Sequence, residues 1–494
     1  MKNLILKSAF LLLSFLAIVL FSCDNNGTLE VPKDNVGDST NTDNLRSIVL
    51  IYTNDEHGWL EPTDSYSGAS GMMGSWKKEV GYDASDDKFL VLSGGDMWTG
   101  PAISTWFQGE PMVEIMNKMG YDAAALGNHE FDFAVSNIET REQQMNFPML
   151  SANIRSKSTN EIPDFVKPYF ITEVNGIKVG IIGLSSLSTP RTAFPKYVED
   201  YKFIPYSEAV AEFAPKAKSE GAELVFIIGH ICKDEMESLL PIAKQYNIPV
   251  IAGGHCHRRV LSKSDDILIV QSGSYMKGYT KIALEYDLTT KKAEVISYKA
   301  IDNTGSETDT EIEEIVTYWQ QEAQGELSVE IGYCSQNISR YSASMGNMIT
   351  DSWLVSFPND DIAFTNSGGI RQDIPQGKIT VGTVVGVLPF SNEIVRLELT
   401  GTQIMQVANG YVLGGMSIVN GYRLSDGTAI EPDSIYTVLT TDYAYSVSNS
   451  LQNYDATAES TSVNWRQPMI EWITSLNTTE ADPLNNYLDD VSRK

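Results

Sequence analysis

Short apolar runs, each closed by a string of Gly, Asp, Asn or His, restrict the fold of this chain more than any other feature. Residues 47–52, 89–92, 123–126, 179–183, 224–228 and 248–252 are such runs, rich in aliphatic and β-branched side chains. Their length and composition predict strands buried on both faces. Segments 109–119 and 207–218, between them, have the polar/apolar spacing of helices. Strand–helix alternation predicts an α/β domain over 48–300 with helices packed on a largely buried sheet. The pattern changes near residue 300. Residues 302–309 are polar and 311–324 are acidic with helical spacing, so 301–326 is expected to be a linker and connecting helix. A second α/β unit is expected over 327–494, with strands near 361–364, 394–399 and 435–439. No internal repeat is visible.

Composition narrows the function classes. The chain has 494 residues and 42% hydrophobic side chains, enough for about two domains with real cores. Its formal charge is −28. So acidic a chain, with no local basic patch, repels phosphate backbones and excludes nucleic acid as a partner. Four cysteines are too few for a disulfide scaffold. At the start, Lys2 and Lys7 flank a short basic region, and an apolar run over 9–21 follows. That run is short for a bilayer span and the right size for a signal-peptide core. It ends in Leu20-Phe21-Ser22-Cys23, which resembles the bacterial lipobox. The expectation is a signal peptide over 1–22, lipidation of Cys23, and a flexible tether over 23–47 holding an exported protein to the cell envelope, periplasmic or on the outer-membrane surface. Ordinary cleavage with Cys23 as a bystander is the alternative.

The chain has five histidines, and each follows a predicted strand. The strings are Asp55-Glu56-His57, Gly94-Gly95-Asp96, Gly127-Asn128-His129-Glu130-Phe131-Asp132, Gly229-His230 and Gly254-His255-Cys256-His257. Ligands bind outside the carboxyl ends of strands in open α/β sheets, so these loops are expected to converge. Taken singly, a strand-end His is more often a surface residue than a ligand. The whole set, with no histidine left over, points to a pair of divalent cations, since imidazole suits Zn, Mn or Fe and a shared carboxylate can bridge two ions.

The ordered set resembles the calcineurin-like metallophosphoesterases, and the second half is similar to the 5′-nucleotidase/UDP-sugar hydrolase branch of that family. The resemblance implies an α/β (α+β) fold: an N-terminal four-layer sandwich of two mixed sheets flanked by helices, plus a C-terminal α/β substrate-binding domain. It implies one metal at Asp55, His57, Asp96 and His257, and another at Asp96, Asn128, His230 and His255, with Asp96 bridging. The cofactors would be two divalent metal ions of unspecified identity. His129 would stabilise or protonate the leaving oxygen, with Asp132 fixing its tautomer; Glu130 reads as scaffold. In the second half, Asn366-Ser367-Gly368-Gly369-Ile370-Arg371 and Pro389-Phe390 resemble the nucleotide-binding motifs of the family. Asn366 and Arg371 would hold the nucleotide, Gly368 and Gly369 would allow close backbone approach, and Phe390 would stack on the base.

The family's second stacking aromatic has no counterpart by motif. Tyr443, Tyr445 and Tyr454 are candidates, and packing roles for all three are an equal alternative. Arg340 stands one place from the family's phosphate-binding Arg. Cys232 and Cys256 lie beside candidate ligands. Alternation along an extended segment predicts that Cys256 points away from its neighbours as a small buried residue; a thiolate ligand is the alternative. The implied function is extracytoplasmic hydrolysis of nucleoside monophosphates by metal-activated hydroxide attack. UDP-sugars, cyclic nucleotides or another phospho- or sulfo-ester are alternative substrates, and a non-catalytic ligand-binding lipoprotein is the alternative of another class.

Overall fold

The computed structural model of the protein describes residues 44–494. The expected signal peptide, Cys23 and most of the expected tether lie outside the described residues, and among those described no helix is long and apolar enough to cross a membrane.

The predicted apolar runs are strands. In the first half they are β1 (Leu45–Thr53), β2 (Phe89–Ser93), β3 (Ala123–Ala125), β4 (Met149–Leu150), β5 (Tyr169–Val174), β6 (Ile177–Leu184), β7 (Leu224–Gly229) and β8 (Val250–Ala252). β9 (Arg259–Ser264), β10 (Ile267–Ser272), β11 (Gly278–Asp287) and β12 (Lys292–Asp302) follow. They form two mixed six-stranded sheets, ordered β12-β11-β1-β2-β3-β4 and β9-β10-β8-β7-β6-β5. β1 to β4 run parallel, as do β6, β7, β8 and β10.

Side-chain alternation along each strand divides the interior into three apolar layers. Ile48, Leu50, Tyr52, Leu90 and Leu92 from the first sheet meet Val179, Ile181, Phe226, Ile228 and Val270 from the second. The opposite face of the first sheet, with Ile51 and Val91, is covered by α1 (Gly68–Ser75) and α2 (Glu110–Met119) through Met72, Met73, Met112 and Met116. The outer face of the second sheet, with Ile182, Val225 and Ile227, is covered by α3 (Tyr206–Ser219) through Ala209, Val210 and Phe213. Helices outside and two sheets inside give the expected four layers.

The segment expected to be a linker and connecting helix carries that helix and packs it on the first domain. β12 continues to Asp302, and α4 (Thr310–Glu322) buries Ile312, Val316 and Trp319 in the core of the first domain. The Trp319 ring packs on Phe107, and its Nε1–H donates to Glu114 at 2.8 Å. Asp309 caps the helix by accepting from the Ile312 N–H. α4 therefore packs as part of the first domain.

The second domain is built on a five-stranded sheet. Its strands are β13 (Ile362–Thr365), β14 (Glu393–Thr400), β15 (Val412–Gly414), β16 (Ile435–Thr441) and β17 (Glu459–Asn464), in the order β15-β13-β16-β14-β17. α5 (Ala343–Ser356) and α6 (Val381–Val387) pack on one face through Met345, Ile349, Trp353 and Val384. Phe226 is fully buried at the centre of the layer between the two large sheets. Phe226→Ala is expected to lower the unfolding free energy of the first domain by about 3–5 kcal/mol, read as a lower denaturant midpoint at unchanged slope.

Candidate metal centre and active site

The loops leaving the carboxyl ends of β1, β2, β3, β7 and β8 meet at one edge of the sandwich, and their backbones are held in uncommon conformations. Asp55, His57, Asp96, His255 and His257 all have left-handed φ, between 49° and 72°. Such geometry costs about 1–3 kcal/mol per non-glycine residue and persists only where the surroundings enforce it. Here the Asp55 and His57 N–H groups donate to the carbonyls of Gly95 and Asp96, each at 2.9 Å. The glycine at 127 is required by closeness: a Cβ there would lie 2.2 Å from Asp96 Oδ1.

Two clusters of donors result. One comprises Asp55, His57 and His257, the other Asp96, His230 and His255; within each, the donor atoms lie within 4.8 Å of one another. His57 and His257 face each other Nε2 to Nε2 at 3.1 Å, with Asp55 Oδ1 3.2 Å from His257 Nε2. His255 Nδ1 and His230 Nε2 are also 3.1 Å apart. Asp96 Oδ2 stands between the clusters, 2.9 Å from His230 Nε2 and 3.8 Å from His57 Nε2. His57 and His230 donate their Nδ1–H to the carbonyls of Thr99 and Gly94, at 2.7 and 2.9 Å. A carbonyl only accepts, so each Nε2 is the nitrogen turned to the cluster.

This donor set fits cations. Imidazole nitrogens facing each other at 3.1 Å beside buried carboxylates suit a shared cation, and the buried Asn128 Oδ1 has no hydrogen-bond partner in the protein. Left to protons alone, the charges divide unevenly. Burial drives His57 well below its ordinary value, and burial with the neighbouring His230 drives His255 down to about 4. Burial also opposes charge on His230, but the adjoining Asp96 carboxylate overrides it and pushes His230 up to about 10.

His129 Nδ1 lies 2.8 Å from Asp132 Oδ2, and its backbone N–H donates to Asp96 Oδ1 at 2.8 Å. Burial disfavours the imidazolium, but Asp132 and Asp96 together raise the His129 pKa above its usual value. The Glu130 carboxylate accepts the backbone N–H groups of Asp96, Met97 and Gly127 at 2.7–2.9 Å, tying the β2 and β3 loops together. That is a scaffold's place.

The second domain reaches the same site. A cavity of about 190 Å³ is lined by His129 and Asp132 from the first domain and by Asn366, Gly368, Gly369, Arg371 and Phe390 from the second. Phe390 is stacked on His129 at 5.6 Å between ring centres, and the Arg371 guanidinium lies over the Phe390 ring at 5.8 Å. The Asn366 Oδ1 is buried without a partner. A Cβ on Gly369 would stand 2.8 Å from the Trp465 ring, whereas one on Gly368 would meet only Asn366, at 3.6 Å.

Of the three candidate tyrosines, Tyr443 lines the cavity, and its hydroxyl donates to the Arg191 carbonyl across the domain boundary at 3.1 Å. Tyr445 and Tyr454 turn elsewhere, to the Asp455 carbonyl and to Gln406. Phe194 and Tyr197, unnoticed in the sequence, supply further aromatic wall from the first domain. Arg340 donates to the Arg371 carbonyl at 2.8 Å and so stands behind the cavity loop. Tyr275 was also unnoticed: its ring lies 5.4 Å from His57 and 5.1 Å from His257, and its left-handed φ of 63° was the only marker, invisible in sequence. Cys232 and Cys256 correct the expectation. They form a disulfide, and Cys256 is exposed rather than buried.

Comparison with known proteins agrees with this architecture. Residues 48–259 match the calcineurin-like phosphoesterase family, and residues 324–412 match the 5′-nucleotidase C-terminal domain. The chain is 26% identical over 449 residues to the endonuclease YhcR of Bacillus subtilis, covering 80% of this chain and 36% of that protein, so it spans about a third of that relative's length. It is 28% identical over 422 residues to a 5′-nucleotidase of Vibrio cholerae, covering 74% of this chain and 76% of the relative. The crystal structure of a 5′-nucleotidase precursor from Thermus thermophilus shares the fold, with a TM-score of 0.76 at 21% identity over 91% of this chain and 99% of that one. With the first domain carrying the clustered donors and the second completing the cavity, the chain joins a calcineurin-like phosphoesterase domain to a 5′-nucleotidase C-terminal domain.

Proposed function

We propose that the protein is an exported 5′-nucleotidase working with two divalent cations, converting nucleoside monophosphate and water to nucleoside and phosphate. The observation that carries the reading is the single cavity in which His129 and Asp132 of one domain face Arg371 and Phe390 of the other. Asp55, His57, Asp96 and His257 would hold one cation, and Asp96, Asn128, His230 and His255 the second. Cations held there would supply Lewis-acid chemistry, activating water and offsetting phosphoryl charge.

The chain's own residues do the rest. Asp132 holds His129 by Nδ1, which leaves Nε2 to carry a proton to the leaving 5′-oxygen. Arg371 offers a planar fork to phosphate or ribose. Phe390 gives the base a ring to stack on, and binding energy gathered there orients a phosphate remote from it. Although one relative is named an endonuclease, a charge of −28 opposes a polynucleotide. Export is supported by the signal-peptide pattern over 1–22, before Cys23, and by the Cys232–Cys256 disulfide, since such bonds persist in oxidising compartments.

Phosphate release from adenosine monophosphate by the purified full chain with Mn²⁺ or Zn²⁺ tests the reading, with UDP-glucose, a cyclic nucleotide and a thiosulfate ester as competing substrates. Nucleoside monophosphate is expected to have the highest kcat/KM; failure to hydrolyse it at all would remove the nucleotide assignment. Asp96→Ala is expected to abolish turnover and lower metal content by elemental analysis. His129→Ala is expected to keep its metals and lose roughly 10²–10⁴-fold in kcat; a lost metal would make His129 a ligand instead. Phe390→Ala is expected to lose about tenfold in kcat/KM for nucleotides, the worth of a base–aromatic stack, with far less effect on an aryl phosphate.

A further inference from the structure

The disulfide joins Cys232, two residues past His230, to Cys256, which lies between His255 and His257; the two are 24 residues apart in sequence, with Cα atoms 5.5 Å apart. One bond therefore crosses from the loop after β7 to the loop after β8, at the point where those loops deliver their imidazoles. His255 belongs to one donor cluster and His257 to the other. These are the two least protected histidines of the pair of clusters. The His257 side chain is 29% exposed, against 1% for His57 and 0% for His230, and His255 is half-buried. Both are also held at left-handed φ, 72° and 53°.

The other backbone restraints on this loop act at residues 254–256, where the Cys256 N–H donates to the Gly254 carbonyl at 2.8 Å, and resume at Arg259, which pairs with Ser272. Gln271 donates to the Gly254 carbonyl at 2.6 Å, the Gly254 N–H donates to the Ile231 carbonyl at 3.1 Å, and the His255 N–H donates to the Asp55 carboxylate at 3.0 Å. Beyond Cys256 the chain runs through exposed Arg258 into β9. His257 thus lies between the disulfide on one side and the start of β9 on the other.

We propose that the Cys232–Cys256 disulfide is a positioning element of the metal centre, holding His255 and His257 against His230 and His57 so that one covalent bond serves both cation sites. The inference rests on the assignment of these histidines as ligands. A thiol or phosphine reductant reverses it: two electrons enter the exposed S–S bond, which breaks, and each sulfur takes up a proton as the reductant is oxidised. The freed loop then loses register at both clusters.

The test is calorimetric titration of the metal-free full chain with Mn²⁺, comparing the native protein with the Cys232→Ser/Cys256→Ser double variant. The native protein is expected to bind two ions. In the variant both dissociation constants are expected to rise by about 10–100-fold, the usual effect of removing a group that orients metal ligands, and the Mn²⁺ concentration for half-maximal rate should rise with them. A bond that merely stabilises the fold would lower the melting temperature and leave both constants at native values, which would overturn the proposal. Should the variant fail to fold, the native metal-free protein can be reduced with a phosphine, freed of it and titrated, with two thiols counted beyond those of the unreduced protein; the same rise is expected, and unchanged constants overturn the proposal. Co²⁺ added to the reduced protein is expected to give no sulfur-to-cobalt charge-transfer band; its appearance would make the cysteines ligands and overturn the positioning role. A native protein that binds fewer than two ions defeats the ligand assignment itself, whereas two ions bound with unchanged constants in the variant defeat only this inference.

Discussion

The site depends on the burial of Asp96. A carboxylate removed from water is costly unless it is paired and hydrogen-bonded. The molecule answers with groups from both sheets: the His129 N–H on Oδ1, the His230 imidazole at 2.9 Å and the His57 imidazole at 3.8 Å on Oδ2. Opposing charges hold the Asp96 pKa well below the carboxylate range despite its burial. The loops of β1, β2, β3, β7 and β8 converge because their strands run parallel and end at one edge, and Asp96 is where the two donor clusters touch. Asp96 and four of its neighbours accept left-handed backbones to make that contact. Strain concentrated in this way is what a preorganised centre requires.

The second domain depends on the first through rings. Phe390 lies on His129, and its carbonyl accepts the Trp465 Nε1–H at 2.7 Å, so the aromatic wall is fixed from within its own domain. Trp465 also fills the space that Gly369 leaves, which brings the Asn366–Arg371 segment close to the cavity. The same tryptophan therefore sets both the loop and the ring that would meet substrate.

The strands were legible because buried parallel strands read as unbroken apolar runs, and the run at 47–52 lies wholly within β1. The histidines were legible because each closes such a run. Asp132 and Glu130 could be given different tasks because of their places in one string, and the geometry separates them: Asp132 meets an imidazole and Glu130 meets three backbone N–H groups. What was missed fails for physical reasons. The segment with Ile312, Val316 and Trp319 was readable as an amphipathic helix, but nothing local says which domain's core its apolar stripe joins. The cysteine pairing escaped because side-chain alternation presumes an extended backbone, and His255 and His257 are left-handed. The placing of Tyr443, Phe194 and Tyr197 on one cavity is set by contact between domains, which no spacing records.

The most direct measurement is the rate of phosphate release from adenosine monophosphate as Mn²⁺ is added in steps to a fixed concentration of metal-free protein. Two clusters that share Asp96 and act together predict little activity at one equivalent and a steep rise that levels off near two. Full activity at one equivalent, or undiminished activity under excess chelator, would contradict the account.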